Sequence, residues 1–392
     1  MEKLSIVLKT VERCNINCKY CYFFNKEDQS YKEHPPIIDK NTLNKLVDFL
    51  KEGCHDLNLK KIVIGFHGGE PLIQKKEDFS EMCRFFISEL SPYVDISFNV
   101  QTNGILINEK WIKLLSEYNV GIGISIDGPK EYHDKERIDF YERGTYHLVE
   151  KSIKLLSSHP LIKNNISTIT VVNPENDAKK IYRHFVDNLE LKSFDFSLPY
   201  FTHDNMPPFS PEQYGIFMRD ILDEWIKDDN PNIKVRFLVS AFRVLFGGSG
   251  LVYGHGPVKT NNNLPLMTVR SDGSLEPTTE LMSTDPSSVS QTNLTIYNTS
   301  LKEFSEHSIF KEIKSAQTIH PDLCQNCCWE NICGSGAIVH RFSKSKRFNN
   351  PSIYCEGLKL FYSRLMAYVL KWGADYPLDN IYKNLFTPQN VL

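Results

Sequence analysis

The sequence predicts an α/β chain: a partial (β/α)6 TIM-like barrel followed by a C-terminal Cys-rich domain. Three observations carry that prediction. Short apolar runs alternate with amphipathic segments of helical length from the start to about residue 215, the pattern of repeated βα units. The ten cysteines form two groups, 14, 18 and 21 near the start and 324, 327, 328, 333 and 355 near the end, with only Cys54 and Cys83 apart. A length of 392 residues at 41% apolar suffices for one large core and a smaller one.

Taken in order, the predicted strands are Leu4–Lys9, Lys61–Phe66, Asp95–Thr102, Gly121–Ile126, Ser167–Val172 and Ser193–Leu198. Between them Asn41–Gly53, Asp78–Leu90, Glu109–Tyr118, Tyr146–Ser157 and Asp177–Asn188 read as helices. Six strands with crossover helices imply a parallel, curved sheet whose function sits where the βα loops leave the strands. The Pro- and Asn-rich stretch Tyr200–Pro211 reads as a linker or lid, and Gln213–Lys227 and Phe237–Phe246 as bridging helices. After Gly247 the chain turns loop-rich, through GGSG, GHG and Asn261–Asn263, and such a segment ending in cysteines depends on a metal to fold. Gly357–Trp372 closes the pattern as a packed helix. The expected division is residues 1–215 barrel, 216–255 bridging helices, 256–360 Cys-rich domain and 361–392 C-terminal helix and tail.

With 45 Lys+Arg against 48 Asp+Glu, the formal charge of −3 provides no broad basic field for nucleic acid and no polybasic membrane anchor. The segment Met1–Thr10 lacks the apolar run of a signal peptide, and the apolar stretches Ile62–Phe66 and Val120–Ile126 are too short to span a bilayer. These features predict a soluble cytoplasmic protein. That compartment keeps thiols reduced, so grouped cysteines point to metal ligation, and Cys54 and Cys83 read as small buried hydrophobes.

Cys14-x-x-x-Cys18-x-x-Cys21 follows the first predicted strand. Three thiolates in eight residues can hold three corners of an iron–sulfur cube and leave the fourth iron open. A structural zinc site closes its shell with a fourth ligand, and none lies nearby in sequence, although spacing alone leaves zinc as an alternative. After the second strand comes His67-Gly68-Gly69-Glu70-Pro71, whose glycines permit close approach of backbone to a ligand; alone it reads equally as a tight turn. Gln101, Thr102 and Asn103 end the third strand, Ser125, Asp127 and Gly128 the fourth, and Asn173 the fifth.

Together these segments resemble the radical S-adenosylmethionine (SAM) superfamily, whose Cys loop carries an aromatic residue before its last Cys, here Tyr20, and whose GGEP motif is Gly68 to Pro71. The run Ser125-Ile-Asp-Gly-Pro129, His133, Asp134, Arg137 and Gly144-Thr-Tyr146 resembles the peptide-modifying branch. The resemblance implies a [4Fe-4S] cluster on Cys14, Cys18 and Cys21, with its open iron binding SAM. It implies that Tyr20 packs on the adenine, that Gly68, Gly69, Glu70 and Pro71 meet the ammonium, that Ser125 and Asp127 lie near the ribose, and that Arg137 faces the carboxylate. Gln101, Asn103 and Asn173 are expected contacts of the same ligand. The bland alternatives are a turn cap for Asp127 and a solvated ion pair for Arg137.

The second cysteine group resembles the SPASM domain. Carried over by position, Cys324, Cys327, Cys333 and Cys355 take the four ligand places of an outer auxiliary [4Fe-4S] cluster. An inner auxiliary cluster is not expected, because two of its ligand positions are Thr278 and Ala337 here. Two clusters in total are therefore expected, with Cys328 left over and a tetrathiolate zinc site as the alternative at residues 324–355.

The chemistry implied is reductive cleavage of SAM to a 5′-deoxyadenosyl radical, driven by an external one-electron reductant of flavodoxin or ferredoxin type. The expected substrate is a ribosomally made precursor peptide, with the XYE-type group of maturases, which join an aromatic ring to a neighbouring Cβ as a cyclophane, as the nearest resemblance. Anaerobic sulfatase maturases carry a Cys-Asp pair where this chain has Thr278-Thr279, so formylglycine formation is the first alternative. A non-catalytic iron–sulfur or zinc protein is the second. The chain starts at the first strand, so no N-terminal leader-binding domain is expected.

Overall fold

The computed structural model describes residues 3–162, 166–252, 256, 266–372 and 381. The Asn261–Asn263 run and most of the expected tail beyond residue 372 lie outside them. The chain forms two compact units, Met1–Thr168 with Asn262–Glu312 and Ile169–Asn261 with Ile313–Leu392.

In the first unit the strands are β1 (Lys3–Val11), β2 (Lys61–Gly68), β3 (Asp95–Thr102) and β4 (Gly121–Ser125), mutually parallel and adjacent in that order. Next, β5 (Ile166–Val171) carries the chain into the second unit, where β6 (Ser193–Ser197) runs parallel to β7 (Lys234–Val235). Returning to the first unit, β8 (Met267–Val269) pairs parallel to the free side of β1. A hairpin then adds β9 (Ser274–Glu276) and β10 (Leu294–Thr295), both antiparallel. The α/β class with a mostly parallel sheet is as expected.

Alternation explains why these segments are strands. On β2, Ile62, Ile64 and Phe66 are fully buried on one face, while Val63, Gly65 and His67 occupy the other. Helices Lys40–Leu57, Lys76–Leu90 and Glu109–Glu117 cover the apolar face, where Phe66 meets Phe79 at 4.8 Å and Phe98 at 5.4 Å, and Phe79 meets Trp111 at 5.3 Å. Helix starts carry their own signals: Asp39 accepts from Thr42 N, and Asn108 from Lys110 N and Trp111 N. The opposite sheet face is polar, with Lys9, His67, Gln101 and Ser125 near the strand ends.

Strand β1 runs to Val11, beyond the expected end at Lys9, because its parallel pairing with β2 continues past a register shift to set Val11 opposite Gly68. The β8–β9 hairpin lies inside the stretch read as loop-rich. Its turn is Asp272-Gly273, with Gly273 at φ +87 and Arg270 N donating to Ser274 O at 2.9 Å. Asp-Gly is a hairpin signal, here between the short runs Met267–Val269 and Ser274–Glu276, and it was available in the sequence.

In the second unit, Phe196 packs on Phe217 at 5.7 Å and Phe237 at 6.1 Å, and Phe237 on Phe361 at 5.6 Å. Helices Pro211–Asp228 and Cys355–Trp372 cross at Gly215 and Gly357, where a Cβ on Gly357 would overlap Pro211 O and lie 2.9 Å from Gly215 N. Gly357→Ala is expected to cost roughly 1–3 kcal/mol by forcing these helices apart, read as a lower denaturant midpoint at unchanged slope.

Candidate functional site

The strand ends of β1 and β2 are locked together by main chain. Gly69 N donates to Val11 O at 2.8 Å and Glu70 N to Arg13 O at 2.9 Å, so the chain entering the Cys loop lies directly on the Gly-Gly-Glu segment. Gly68 sits at φ +136, where a Cβ would overlap Val11 O, and a Cβ on Gly69 would overlap Arg13 O. The glycines thus clear room for the protein's own backbone, a different use from the ligand approach expected of them. Glu70 is 0% exposed. Its carboxylate accepts from Thr102 Oγ1 at 2.7 Å, Asn103 N at 2.7 Å and Leu72 N at 3.0 Å, tying the end of β3 to that of β2. Burial pushes its pKa up to about 7 against these three donors. With both oxygens engaged inside, Glu70 leaves only main chain of its motif to face a ligand. Asn103 continues the lock, donating to Asn15 Oδ1 at 2.7 Å and lying 3.8 Å from Cys14 Sγ.

The other side of the Cys loop is held by charge. Asp127 accepts from Tyr20 Oη at 2.5 Å and from Arg137 Nε at 2.8 Å, and Arg137 Nη1 lies 3.9 Å from Cys18 Sγ. Burial pulls the Arg137 pKa down, but Asp127, Tyr20 and Cys18 more than reverse this, so it stays a cation. The pair is neither solvated nor a simple turn cap: both members are under a tenth exposed. Engaging its hydroxyl this way leaves the Tyr20 ring as the part able to pack on a ligand. His133 accepts from Asp127 N and meets Thr145 Oγ1 at 3.1 Å, and burial pushes its pKa down to about 3, so it is a neutral hydrogen-bonding post. Gln101 donates to Ser125 Oγ at 2.9 Å, and a Cβ on Gly123 would overlap the Gln101 carboxamide. Burial pushes the Cys14 thiol up to about 12 and the Cys18 thiol to about 11, so metal ligation here must displace protons.

Beside this loop lies a buried ionic group that sequence reasoning missed. Arg270, 0% exposed, donates to Glu12 at 2.7 and 3.0 Å and to Glu276 at 3.0 Å. Lys9 Nζ, also 0% exposed, is 3.3 Å from His67 Nδ1 and 4.6 Å from the Phe23 ring centroid. Burial, then Arg270, lowers the Lys9 pKa to about 7. Tyr22 Oη meets Thr279 Oγ1 at 3.3 Å, and the next residue, Glu280, has a buried Oε1 with no hydrogen-bond partner and a pKa pushed up to about 7 by burial.

In the second unit Cys324, Cys327, Cys333 and Cys355 line one cavity, with Trp329 and Tyr362 among its walls. Cys328 is exposed and outside it. Among the described residues no group of three or more His, Cys, Asp or Glu converges closely enough for one metal ion. Thiols around a cavity, rather than around a point, suit a polynuclear cluster better than a mononuclear zinc shell. Arg341, 2% exposed, donates only to the carbonyls of Ala316 and Phe348, and Cys324 and Cys333 act on it electrostatically. Arg341 is not part of the cavity's lining, but a buried guanidinium with carbonyl partners alone suits an anionic group near Cys324 and Cys333. Asn173 belongs to this unit, where its Oδ1 accepts from Glu175 N at 3.0 Å.

Residues 8–185 match the Radical SAM superfamily model. Over those residues the chain carries a radical SAM domain. SAM and a [4Fe-4S] cluster are the cofactors that such a domain carries. The enzyme is 26% identical over 390 residues to a Cysteine-type anaerobic sulfatase-maturating enzyme of Clostridium novyi, covering 95% of this chain and 98% of that one. A protein of the same description from Clostridium perfringens strain 13 is 26% identical over 377 residues, covering 92% and 96%. A Serine-type anaerobic sulfatase-maturating enzyme of Bacteroides thetaiotaomicron is 29% identical over 244 residues, covering 55% of each chain. In fold, the radical SAM enzyme resembles native anSMEcpe with bound AdoMet and Cp18Cys peptide, at a TM-score of 0.80, 24% identity and coverage of 94% and 98%. No described helix is long and apolar enough to cross a membrane.

Two measurements test the site's internal chemistry. Glu70→Gln replaces a carboxylate that takes three donors, so it is expected to lower stability by about 1–3 kcal/mol and to weaken SAM binding. Burial raises the Glu280 pKa from its ordinary 4.5 to about 7, so its contribution is full below pH 4.5 and is lost as pH rises through 7. Glu280→Gln is therefore expected to leave stability nearly unchanged at about pH 4 and to raise it at about pH 8 by on the order of 2–3 kcal/mol in urea unfolding.

Proposed function

We propose that this radical SAM enzyme abstracts a hydrogen from a side-chain Cβ within a peptide or protein substrate, using a cluster on Cys14, Cys18 and Cys21 and SAM seated on the polar strand ends beside Tyr20, Gln101 and Ser125. The observation that carries the reading is the likeness, end to end, to enzymes named for maturating sulfatases, together with the three-Cys loop locked onto the Gly68–Glu70 backbone. When bound, the cluster and SAM supply a primary carbon radical. The protein's task is to orient SAM and to hold the target carbon beside it while excluding water. Gly68 and Gly69 keep main chain at the ligand face, the Arg137–Asp127 pair fixes the Cys18 side of the loop, and Asn103 fixes the Cys14 side.

A second cluster, on Cys324, Cys327, Cys333 and Cys355, completes the reading, supported by their common cavity and by the buried Arg341 cation. Cβ abstraction leads to two products. Joining the carbon radical to a nearby aromatic ring, with loss of one electron and one proton, makes a cyclophane; oxidising a Cys or Ser side chain to an aldehyde makes formylglycine. Thr278 and Thr279 in place of the Cys-Asp pair favour the first, because a hydroxyl hydrogen-bonded to Tyr22 is a poorer proton acceptor than a carboxylate. The sulfatase-maturating relatives favour the second.

Anaerobic reconstitution is expected to yield about eight iron per chain, four in each cluster, and SAM-dependent 5′-deoxyadenosine. Replacing Cys14, Cys18 and Cys21 together by Ala is expected to leave about four iron and no SAM cleavage; persistent cleavage refutes the assignment. Mass spectrometry of a peptide with adjacent aromatic residues, against one with a central Cys, separates a ring-to-Cβ bond with loss of two hydrogens from exchange of the thiol for an aldehyde oxygen. For the auxiliary site, Cys355→Ala is expected to give a poorly soluble protein, since ligation energy is folding energy in such segments. Soluble protein that still cleaves SAM but forms no product would instead assign the second cluster to electron transfer.

A further inference from the structure

The proposed reaction needs one electron per turnover from outside the molecule, so a donor must come close to the Cys14–Cys21 loop. Two cavities of the first unit meet at Asn15, the neighbour of Cys14. One is floored by Leu72, Ile73, Leu106 and Trp111 and rimmed by Lys75, Lys76 and Lys110. The other runs past Ile105 to Arg143, His147 and Leu148. The first lining holds Lys75, Lys76 and Lys110 against one carboxylate, Glu77, and in the second Arg143 is paired with Asp139, in a chain whose overall charge is −3. Lys75 and Lys110 are exposed and have no carboxylate partner among the described residues. Lys76 lies over the Trp111 ring at 4.8 Å, which holds that cation in place at the surface, whereas Arg143 is ion-paired with Asp139 at 2.7 Å beside the exposed Tyr141 ring. Phe140 and Tyr141, 64% and 80% exposed, lie alongside the second cavity.

We propose that this lysine-rimmed, aromatic-edged groove on either side of Asn15 is the docking surface for an acidic one-electron carrier protein of the flavin or iron–sulfur type. The carrier's carboxylates would meet Lys75, Lys76 and Lys110. The carrier then loses one electron as the cluster on Cys14, Cys18 and Cys21 gains one, with no bond made or broken. The cations steer the encounter, so the association is sensitive to ionic strength. This inference rests on the cluster assignment above.

The test uses the reconstituted full chain with Lys75→Glu and Lys110→Glu combined. Both positions lie at helix starts where Glu is well tolerated, and neither belongs to the SAM or cluster site. Flavodoxin binding, measured by calorimetry, is expected to weaken at least about tenfold in the variant, and in the unaltered chain to weaken on raising salt from 50 to about 300 mM. Flavodoxin-driven 5′-deoxyadenosine formation is expected to fall in parallel, while dithionite-driven formation stays at the unaltered rate. Equal flavodoxin binding by both proteins, or loss of the dithionite-driven rate in the variant, overturns the proposal. Failure of the unaltered chain to cleave SAM with dithionite would instead be a failure of the functional reading.

Discussion

The close approach of two backbone segments, Val11–Arg13 and Gly68–Glu70, is the constraint on which the site depends. Their two main-chain hydrogen bonds extend the parallel β1–β2 pairing past the end of both strands. Any side chain at Gly68 or Gly69 would occupy the space of a carbonyl oxygen from the first segment. The Cys loop therefore begins at a point determined by backbone contact, and Glu70 transmits that position to β3 through Thr102 and Asn103. Side chains that differ in sequence by almost ninety positions, Cys14 and Asn103, are adjacent for this reason.

Buried charge is the second organising feature of the first unit. An isolated ion inside a protein is costly, so each one here has a partner or a shifted pKa. Asp127 is paired with Arg137, and Arg270 with both Glu12 and Glu276. Glu70 is held by three donors, and Lys9 has its pKa drawn down toward neutrality. Where pairing is incomplete, the loose ends lie beside chemistry: Glu280 Oε1 follows the Thr279 that meets Tyr22, and Glu276 Oε2 lies in the Lys9 and Arg270 group. In the second unit the corresponding feature is Arg341, whose charge is met by carbonyl dipoles alone among its hydrogen-bond acceptors. Such interiors are stable only with their remaining partners in place, which couples cofactor loading to folding.

The sequence by itself determined the element types and the chemical class. Period-2 alternation placed β1 to β6 to within a few residues, because one face of each packs on helices and apolar side chains must recur every second position. The three-Cys loop, Tyr20 and Gly68–Pro71 were legible as a unit because they are contiguous and their spacing is chemically restrictive. The tertiary structure alone decided what those residues touch. Glu70 turned inward, the glycines made room for backbone, and Arg137 closed on Asp127, since each outcome depends on a partner far away in the chain. The same holds for the extension of the sheet by β8 and β9, three-residue strands too short to show a period, and for the buried Lys9 and Arg270, whose charge argues for solvent until Glu12 and Glu276 are brought beside them by long-range pairing.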